Sequence, residues 1–578
     1  MNQTRTFLLL ALVFVAYLLF NQWMKEFHPP ATPPTPASAV ASATSTANPA
    51  TSSHAGEAAS ASALNKASTS QAMAPSQLIT VKTDVLALTI NSRGGTVVGA
   101  HLLKYPETLG SKASVSMMSD KANHFYEAQS GLIGIGGDAA PNHKSLFHAE
   151  HTSYVLAPGQ KQIVVALDWT SPSGVKVVKR YTLTRGSYAI RLTQTIDNSG
   201  SQPWSGQAYR QLERVVPPTA HVNFLKKYAG AADYGFFGAA WYGPGDKFNQ
   251  VKFDDIKKHP LGTDGSIGRK VTGGWIAMEQ TYFVGAWLPP THEASTFSTV
   301  ELDAGGKDAK SHYIIRSVGP VLTVAPGKST MTTAQLYVGP KLPDLLDKVA
   351  PHFDLSLNYG MMTIIARPLH WVLAELYKVT RNWGWAIVLL VILINAVIYK
   401  LNALQYRSSA HMRRLAPHMK ALKERFGDDK QKLQQATMEL YKKEKVNPVA
   451  GCLPVLVTLP IFFGLYELLR QSVELRQAPF IFWIHDLSAA DPYFVLPVLY
   501  AIVMLIQSMM MPITPGMGAG QQKMMKYMPV AYAVLFAFFP AGLSLYYIVN
   551  TICRLLTQWW VYRQVDHETA RREAAKAK

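Results

Sequence analysis

The chain has 578 residues, too many for a single hydrophobic core, and is 48% hydrophobic but only 16% charged. Its net charge of +19 points to anionic partners, either lipid head groups or nucleic acid. The two cysteines, Cys452 and Cys553, both lie inside apolar runs, which excludes a disulfide framework and a cysteine metal cluster.

Arg5 precedes an apolar run from Phe7 to Phe20. The small residues Ala37-Ser38-Ala39 resemble a cleavage site, but Asn21, Gln22, Lys25, Glu26 and two prolines separate them from the run. That distance predicts an uncleaved anchor over residues 1–27 with a cytoplasmic N-terminus. Residues 28–76 are mostly Ala, Ser, Thr and Pro, a composition that cannot offset its ordering entropy by burial and predicts a disordered tether. From 77 to 345 the pattern turns to strands. Gln162 to Trp169, the turn Ser171-Pro172-Ser173-Gly174 and Val175 to Leu183 read as a hairpin, and a turn over Thr184–Ser187 leads into Tyr188 to Asp197. Repeated short strands without intervening helices predict an extracytoplasmic β-sandwich.

Within 346–382, Ile364, Ile365, Pro368, Leu369, Val372, Leu376 and Val379 recur at helical spacing. The pattern fits a helix in the membrane interface, and packing of the same stripe on the β domain is the alternative. Five apolar spans follow within 383–562: Trp383–Leu404, Cys452–Leu469, Tyr493–Met511, Tyr527–Phe539 and Ala541–Tyr562. With the anchor they make six transmembrane helices of a polytopic α-helical membrane protein. The loop 407–446 and the tail 563–578 are rich in Lys and Arg, whereas between Gln471 and Pro492 the only basic residue is Arg476. Both termini are therefore expected in the cytoplasm and the β domain outside. In the basic loop, Met412, Leu415, Met419 and Leu422 form one helical stripe and Leu433, Ala436 and Leu440 another, with a stop and N-cap at Gly427-Asp428-Asp429. This helical hairpin is either a solvated positive-inside loop or a surface for incoming chains and ribosomal RNA. It lacks the aromatic interleaving of sequence-specific RNA binding.

Motifs for enzymatic chemistry are weak. Ala325-Pro326-Gly327-Lys328-Ser329 hints at a phosphate loop, but Leu322 stands where the first glycine belongs, and Gly265-Ser266-Ile267-Gly268 follows Asp264 where a nucleophile elbow needs glycine. No catalytic, cofactor or metal residues are therefore assigned. The second span instead contains Asn395 and Lys400. A lysine in a span is costly and functional by default, or else it snorkels to head groups; an asparagine there can also serve a neighbouring helix. Thr458, Ser544, Tyr546, Tyr547 and Asn550 add polar atoms that together line a wet cavity open to the cytoplasm.

Long strings of the chain resemble the YidC insertase family of Gram-negative bacteria over nearly its whole length. They include Gly427-Asp428-Asp429-Lys430, Glu444-Lys445-Val446-Asn447-Pro448, Val473 to Phe480, Trp483-Ile484-His485-Asp486-Leu487-Ser488 and Gly542 to Val549. In the outer domain Ile90-Asn91-Ser92-Arg93-Gly94-Gly95 and Gly273 to Met278 also match. The resemblance implies a periplasmic β-supersandwich related to sugar-mutarotase folds and a five-helix core with a hydrophilic groove. It implies a non-enzymatic insertase of the bacterial inner membrane that moves transmembrane segments of new proteins out of the cytoplasm, alone or with the Sec translocon. Nascent membrane proteins, ribosomes and anionic lipids are the implied partners, with no specific nucleic acid sequence and no cofactor. The implied hydrophobic slide maps to Leu459, Pro460, Phe462, Phe538 and Phe539, and the sixth-span tyrosines to Tyr546 and Tyr547. The family's groove cation, usually arginine, falls on Asn395, a departure that leaves Lys400 or no cation at all. Two other classes compete: a secondary transporter, for which no inverted repeat is apparent, and a glycan-binding protein using Trp204, Trp241, Tyr242 and Trp275.

Overall fold

The computed structural model describes residues 75–217, 236–256, 258, 260–261, 268–302, 311–426, 429–444, 453–510 and 536–577. The expected anchor, the tether up to residue 74, the fifth span before Phe536, Cys452, Gly427-Asp428 and the loop after Glu444 lie outside these residues.

The β region folds as two packed sheets, of ten and nine strands among the described residues. Alternation works as expected: Gln162–Thr170 buries every second residue over most of its length. It pairs antiparallel with Val175–Thr184, which pairs in turn with Ala189–Asn198. Gly174 and Gly186, at φ +88° and +73°, make the two turns that the sequence marks. The phosphate-loop-like stretch is the turn that carries the chain from His312–Val324 in one sheet to Lys328–Pro340 in the other, with Gly327 at φ +68°. In the other sheet Trp204–Val215 lies between Tyr126–Gly134 and His312–Val324.

Trp275 and Trp287 are fully buried between the sheets, and Trp204 and Trp241 are buried as well. Tyr242 stacks on Trp275 with ring centres 6.1 Å apart. The aromatics considered as a sugar platform are therefore largely core, each contributing burial worth roughly 1.5–3 kcal/mol or more. Lys179 is also fully buried there; its Nζ donates to Gly94 O, Ser130 O and Ser130 Oγ at 2.6, 2.8 and 3.0 Å. Burial pulls its ammonium down to about 7.

Among the described residues eight helices make up the remainder: α1 (Pro343–Val349), α2 (Thr363–Thr380), α3 (Trp383–Val397), α4 (Tyr399–Phe426), α5 (Lys430–Lys443), α6 (Leu453–Gln471), α7 (Val495–Met510) and α8 (Ala541–Ala577). The packing of the sandwich continues past 345, because buried Phe353 packs edge-on against Trp275 and Tyr337. The amphipathic helix is α2. Its Ile365 lies over Gly464 of α6, where an added Cβ would come within 2.9 Å, while Ile364, Trp371 and Val379 remain exposed.

Two helices differ in extent from the apolar spans they carry. The span Trp383–Leu404 is not one helix: α3 and α4 meet at Ile398 with a 65° bend. Neither proline nor glycine stands there; Ile398 itself leaves helical geometry at φ −89°, ψ 6°. The helix of the last span runs on past Tyr562 through the basic tail, where Arg414 of α4 donates to Val565 O and Asp566. The N-cap expected before α5 is present, with Asp429 accepting from the backbone of Gln431 and Lys432. Among the described residues no single helix is long and apolar enough to cross a membrane, although the bent α3–α4 pair is. The fifteen residues of α3 span about 22 Å, short of a hydrocarbon core about 30 Å thick. The count of six spans is accordingly not confirmed by helix length.

Candidate functional site

The helical region exposes apolar faces, and its interior mixes apolar side chains such as Ile387, Leu390 and Val391 with polar ones. On α3, Trp385, Leu389, Ile392, Leu393 and Val397 are exposed, and α7 exposes Val498, Leu499, Ile502, Ile506 and Met509. Such continuous apolar faces belong against lipid or a partner. The inward positions of the same bundle carry amides and hydroxyls. Asn395, buried on α3, donates from Nδ2 to Val391 O at 2.9 Å and to Asn550 Oδ1 on α8 at 3.0 Å. Asn402 and Tyr406 of α4 are buried too. On α8, Thr551 donates to Tyr547 O, and the buried Gln558 amide donates to Met510 O and the Tyr562 hydroxyl.

Several of these polar atoms lack a partner. Ser544 Oγ, Asn402 Oδ1 and Gln405 Oε1 are buried without a hydrogen bond among the described residues. Each such orphan costs about 1–3 kcal/mol unless water or a bound chain satisfies it.

Above the Asn395–Asn550 bridge lies an aromatic cluster. Tyr547 meets Phe462, Tyr546 and Phe536 with ring centres 5.3, 5.1 and 4.6 Å apart, and Phe536 meets Phe539 at 4.9 Å. Phe462 comes from α6, next to exposed Leu459 and half-buried Pro460. Two helices therefore offer apolar surface beside the polar interior.

The sequence-derived residues divide as follows. Asn395, Ser544 and Tyr546 are buried and face the interior, Tyr547 and Phe462 join the aromatic cluster, and Thr458, Phe538 and Phe539 are half-buried. Lys400 is exposed, on the far side of the Ile398 bend from buried Asn395. Arg554, absent from the residues picked out in the sequence, lies half-buried on α8 one turn beyond Asn550. Its signal was available: Arg554 is the one charged residue between Ala541 and Tyr562.

On the extracytoplasmic side the two parts of the molecule are joined by polar contacts. Arg476 donates to the carbonyls of Pro106 and Glu107, both at 2.8 Å, and His370 pairs with Glu474 at 3.1 Å. Gly384 packs against Phe480 at the start of α3, and Gly542 at the start of α8 donates to Leu487 O. These contacts join the starts of α3 and α8 to the segment 471–492, and that segment to the β sandwich.

Comparison with known proteins accords with this arrangement. Residues 78–372 match the family model described as YidC periplasmic domain, and residues 375–568 match that described as 60Kd inner membrane protein. A membrane protein insertase YidC of Stutzerimonas stutzeri is 40% identical over 571 residues, covering 98% of this chain and 99% of the relative. Its counterpart in Xanthomonas campestris pv. campestris is 41% identical over 603 residues, covering all of both chains. A crystal structure of active YidC insertase with its first transmembrane domain resolved aligns at TM-score 0.35 and 17% identity, over 84% of this chain and 94% of that one. A galactose mutarotase-like protein from Lactobacillus casei aligns at TM-score 0.29 and 10% identity, over 45% of this chain and 99% of its own. With full-length relatives at this identity, the chain belongs to the YidC family of bacterial inner-membrane protein insertases.

Proposed function

We propose that the chain moves transmembrane segments of newly made proteins from the cytoplasm into the inner membrane through the polar interior between α3, α4 and α8. The observation that carries this reading is the set of buried, unpartnered polar atoms, Ser544 Oγ, Asn402 Oδ1 and Gln405 Oε1, inside a bundle whose outer faces are apolar.

Energetics supply the reason for such a site. Apolar residues enter lipid downhill, with central Leu or Ile contributing about −0.3 to −0.6 kcal/mol each. The polar flank is the obstacle, since one charge at the bilayer centre costs about 2.5–3.5 kcal/mol. A wet interior closed at its outer end shortens the dry distance that the flank must cross. The apolar segment then leaves along Leu459, Pro460 and Phe462 of α6 and Phe538-Phe539 before α8. Thr458 lies next to that exit on α6. No nucleotide enters this scheme.

Partners follow the charge. Arg413 and Arg414 are already matched by Asp566, and Arg407 by Glu568. Lys442 and Lys443, exposed at the end of α5, remain for anionic lipid, ribosomal RNA or a Sec translocon. The test is depletion of the protein in its host, followed by protease accessibility of a small two-span membrane protein. Substrate that stays cytoplasmic, with rescue by the region from Met361 onward, supports the reading; normal insertion with a disturbed solute gradient refutes it.

A further inference from the structure

One edge of the β sandwich holds a cavity that membrane insertion does not call on. Among the described residues Lys247–Lys252 is the edge strand of the nine-stranded sheet, paired with Gly238–Gly243, and Arg269–Thr272 is the edge strand of the ten-stranded sheet. The two edges meet, since a Cβ on Gly243 would lie 2.8 Å from Val271 Cγ1. Here a cavity of about 300 Å³ opens, and its walls include Trp241, Asp246, Lys247, Asn249, Leu261 and Arg269. That volume is enough for a small organic ligand.

The wall carries more donors than it uses. Trp241 is 8% exposed, and its indole Nε1–H has no acceptor among the described residues. A buried donor left unmade carries a desolvation penalty that an acceptor on a ligand removes. Arg269 donates to Asp246 from Nε and Nη2, which cancels the one carboxylate in the wall. A guanidinium has five N–H groups, so those two bonds leave others for a ligand. Lys247 is exposed beside them, and no carboxylate among the described residues pairs with it. Its backbone is left-handed at φ 61°, a conformation that favours glycine, yet a lysine stands there. The wall therefore has one uncompensated positive charge and three separated sources of N–H. Such a set suits the oxygens of a tetrahedral oxyanion better than the two of a planar carboxylate. Leu261 and the indole give the organic part of an ester an apolar contact, and the cavity is larger than phosphate alone needs.

We propose that this edge cavity binds the phosphate ester of a small polyol, held by Lys247, the Trp241 indole N–H and Arg269. The same strands touch the helical region: Gln250 accepts from Asn358 at 2.7 Å, Asn358 O accepts from Gln471 at the end of α6, and Tyr242 lies 5.0 Å from His352 between ring centres. A phospholipid head group and a soluble ester therefore both have a route to the site, and they share the chemistry that it recognises. The assignment goes beyond the insertase reading and stands without it.

The test is calorimetric titration of glycerol 1-phosphate into the full chain in phosphatidylcholine nanodiscs, with glycerol and inorganic phosphate as controls. Saturable binding of the ester is expected, tighter than that of either control. Lys247→Gln weakens it by about tenfold, the loss of one charge-assisted bond. Trp241→Phe keeps an aromatic ring without the N–H and weakens it by about fivefold. Lys252→Gln, at the far end of the same strand, leaves the affinity within about twofold of wild type. Trp241 also packs in the core, so the exposed Lys247→Gln carries the test where Trp241→Phe fails to fold. A wild-type chain that does not saturate overturns the assignment, as does inorganic phosphate that binds as tightly as the ester, an adventitious ion only. Equal effects of Lys247→Gln and Lys252→Gln overturn it too. Repetition in nanodiscs containing phosphatidylglycerol separates the sources: ester binding that disappears there supports a lipid head group as occupant, and unchanged affinity supports a soluble ester. None of these results bears on insertion, so failure here leaves the insertase reading in place.

Discussion

The joint between the β sandwich and the helices contains a buried ion pair whose disruption has a calculable consequence. Lys341 Nζ lies 3.3 Å from Glu279 Oε2, with side chains 3% and 0% exposed. The same carboxylate oxygen accepts from Gln250 at 2.6 Å; Gln250 accepts from Asn358, and Asn358 O accepts from Gln471 at the end of α6. Glu279 Oε1 has no partner among the described residues. Burial raises the Glu279 carboxyl and lowers the Lys341 ammonium, so each ion is sustained chiefly by the other. Lys341→Met keeps the aliphatic stem and strands the carboxylate, which costs about 3–5 kcal/mol. For a domain of this size that corresponds to a Tm lower by about 10 °C. Glu279→Gln with Lys341→Met removes both charges, keeps an acceptor for Gln250, and returns stability to within about 1 kcal/mol of wild type. The pH dependence has a definite sign. A carboxyl raised in the folded state contributes stability that is present below its unfolded value and lost as pH rises through its folded value. The Lys341→Met defect is therefore smaller at pH 5 than at pH 8. Thermal unfolding of the full chain in detergent, followed by tryptophan fluorescence at both pH values, measures it. A single variant within about 1 kcal/mol of wild type, or a double variant as unstable as the single, refutes the reasoning.

Other consequences are more local. Burial raises the Glu127 carboxyl from 4.5 to about 7, so the stability present in acid is lost as pH climbs through 7. The difference, 7 minus 4.5, bounds the effect at about 3 kcal/mol, and partial solvent access reduces it to about 1–2. Glu127→Gln is expected to stabilise the β domain by that amount at pH 8 and little at pH 4, measured from denaturant midpoints. A Cβ on Gly384 would stand 2.1 Å from the Phe480 ring, so Gly384→Val should cost about 1–3 kcal/mol by pushing α3 off the closed end of the bundle. Detergent thermal melts of the variant test it. Asn395→Leu loses the 3.0 Å bond to Asn550, a loss of about 0.6 kcal/mol and at most about 1.7 in a membrane bundle. Equilibrium unfolding in bicelles that shows a much larger loss would contradict a purely interhelical role for that bond.

The parts of the fold legible in the sequence are those governed by local rules. Alternation and turn chemistry placed Gln162–Thr170, Val175–Thr184 and Ala189–Asn198 to within a residue or two, because glycines at positive φ punctuate them. The cap at Asp429 and the amphipathic helix α2 were equally local. Features set by packing between distant segments were not legible. The bend at Ile398 has no proline or glycine to announce it, and α8 continues past Tyr562 because Arg414 of α4 anchors the tail. Trp204, Trp241 and Trp275 look alike as a sugar platform or as core, and only the second sheet pressed against them decides for core.

The groove shows the same limit in its chemistry. A match along one helix compares Asn395 with the residue that a relative places at that position, and by that measure the cation is missing. Charge in a shared interior belongs to the space, however, and any wall can supply it. Asn395 and Asn550 bond from α3 to α8, and one further turn of α8 carries Arg554 along the same face. An arginine on each wall would be mutually repulsive in a medium of low dielectric. Arg554 therefore makes a neutral residue at 395 the stable choice, and adding arginine at 395 while Arg554 remains should lower the stability of the chain. Relieving that loss by Arg554→Ala in the same molecule, seen as positive coupling in a double-mutant cycle, would show that the two positions share one electrostatic site.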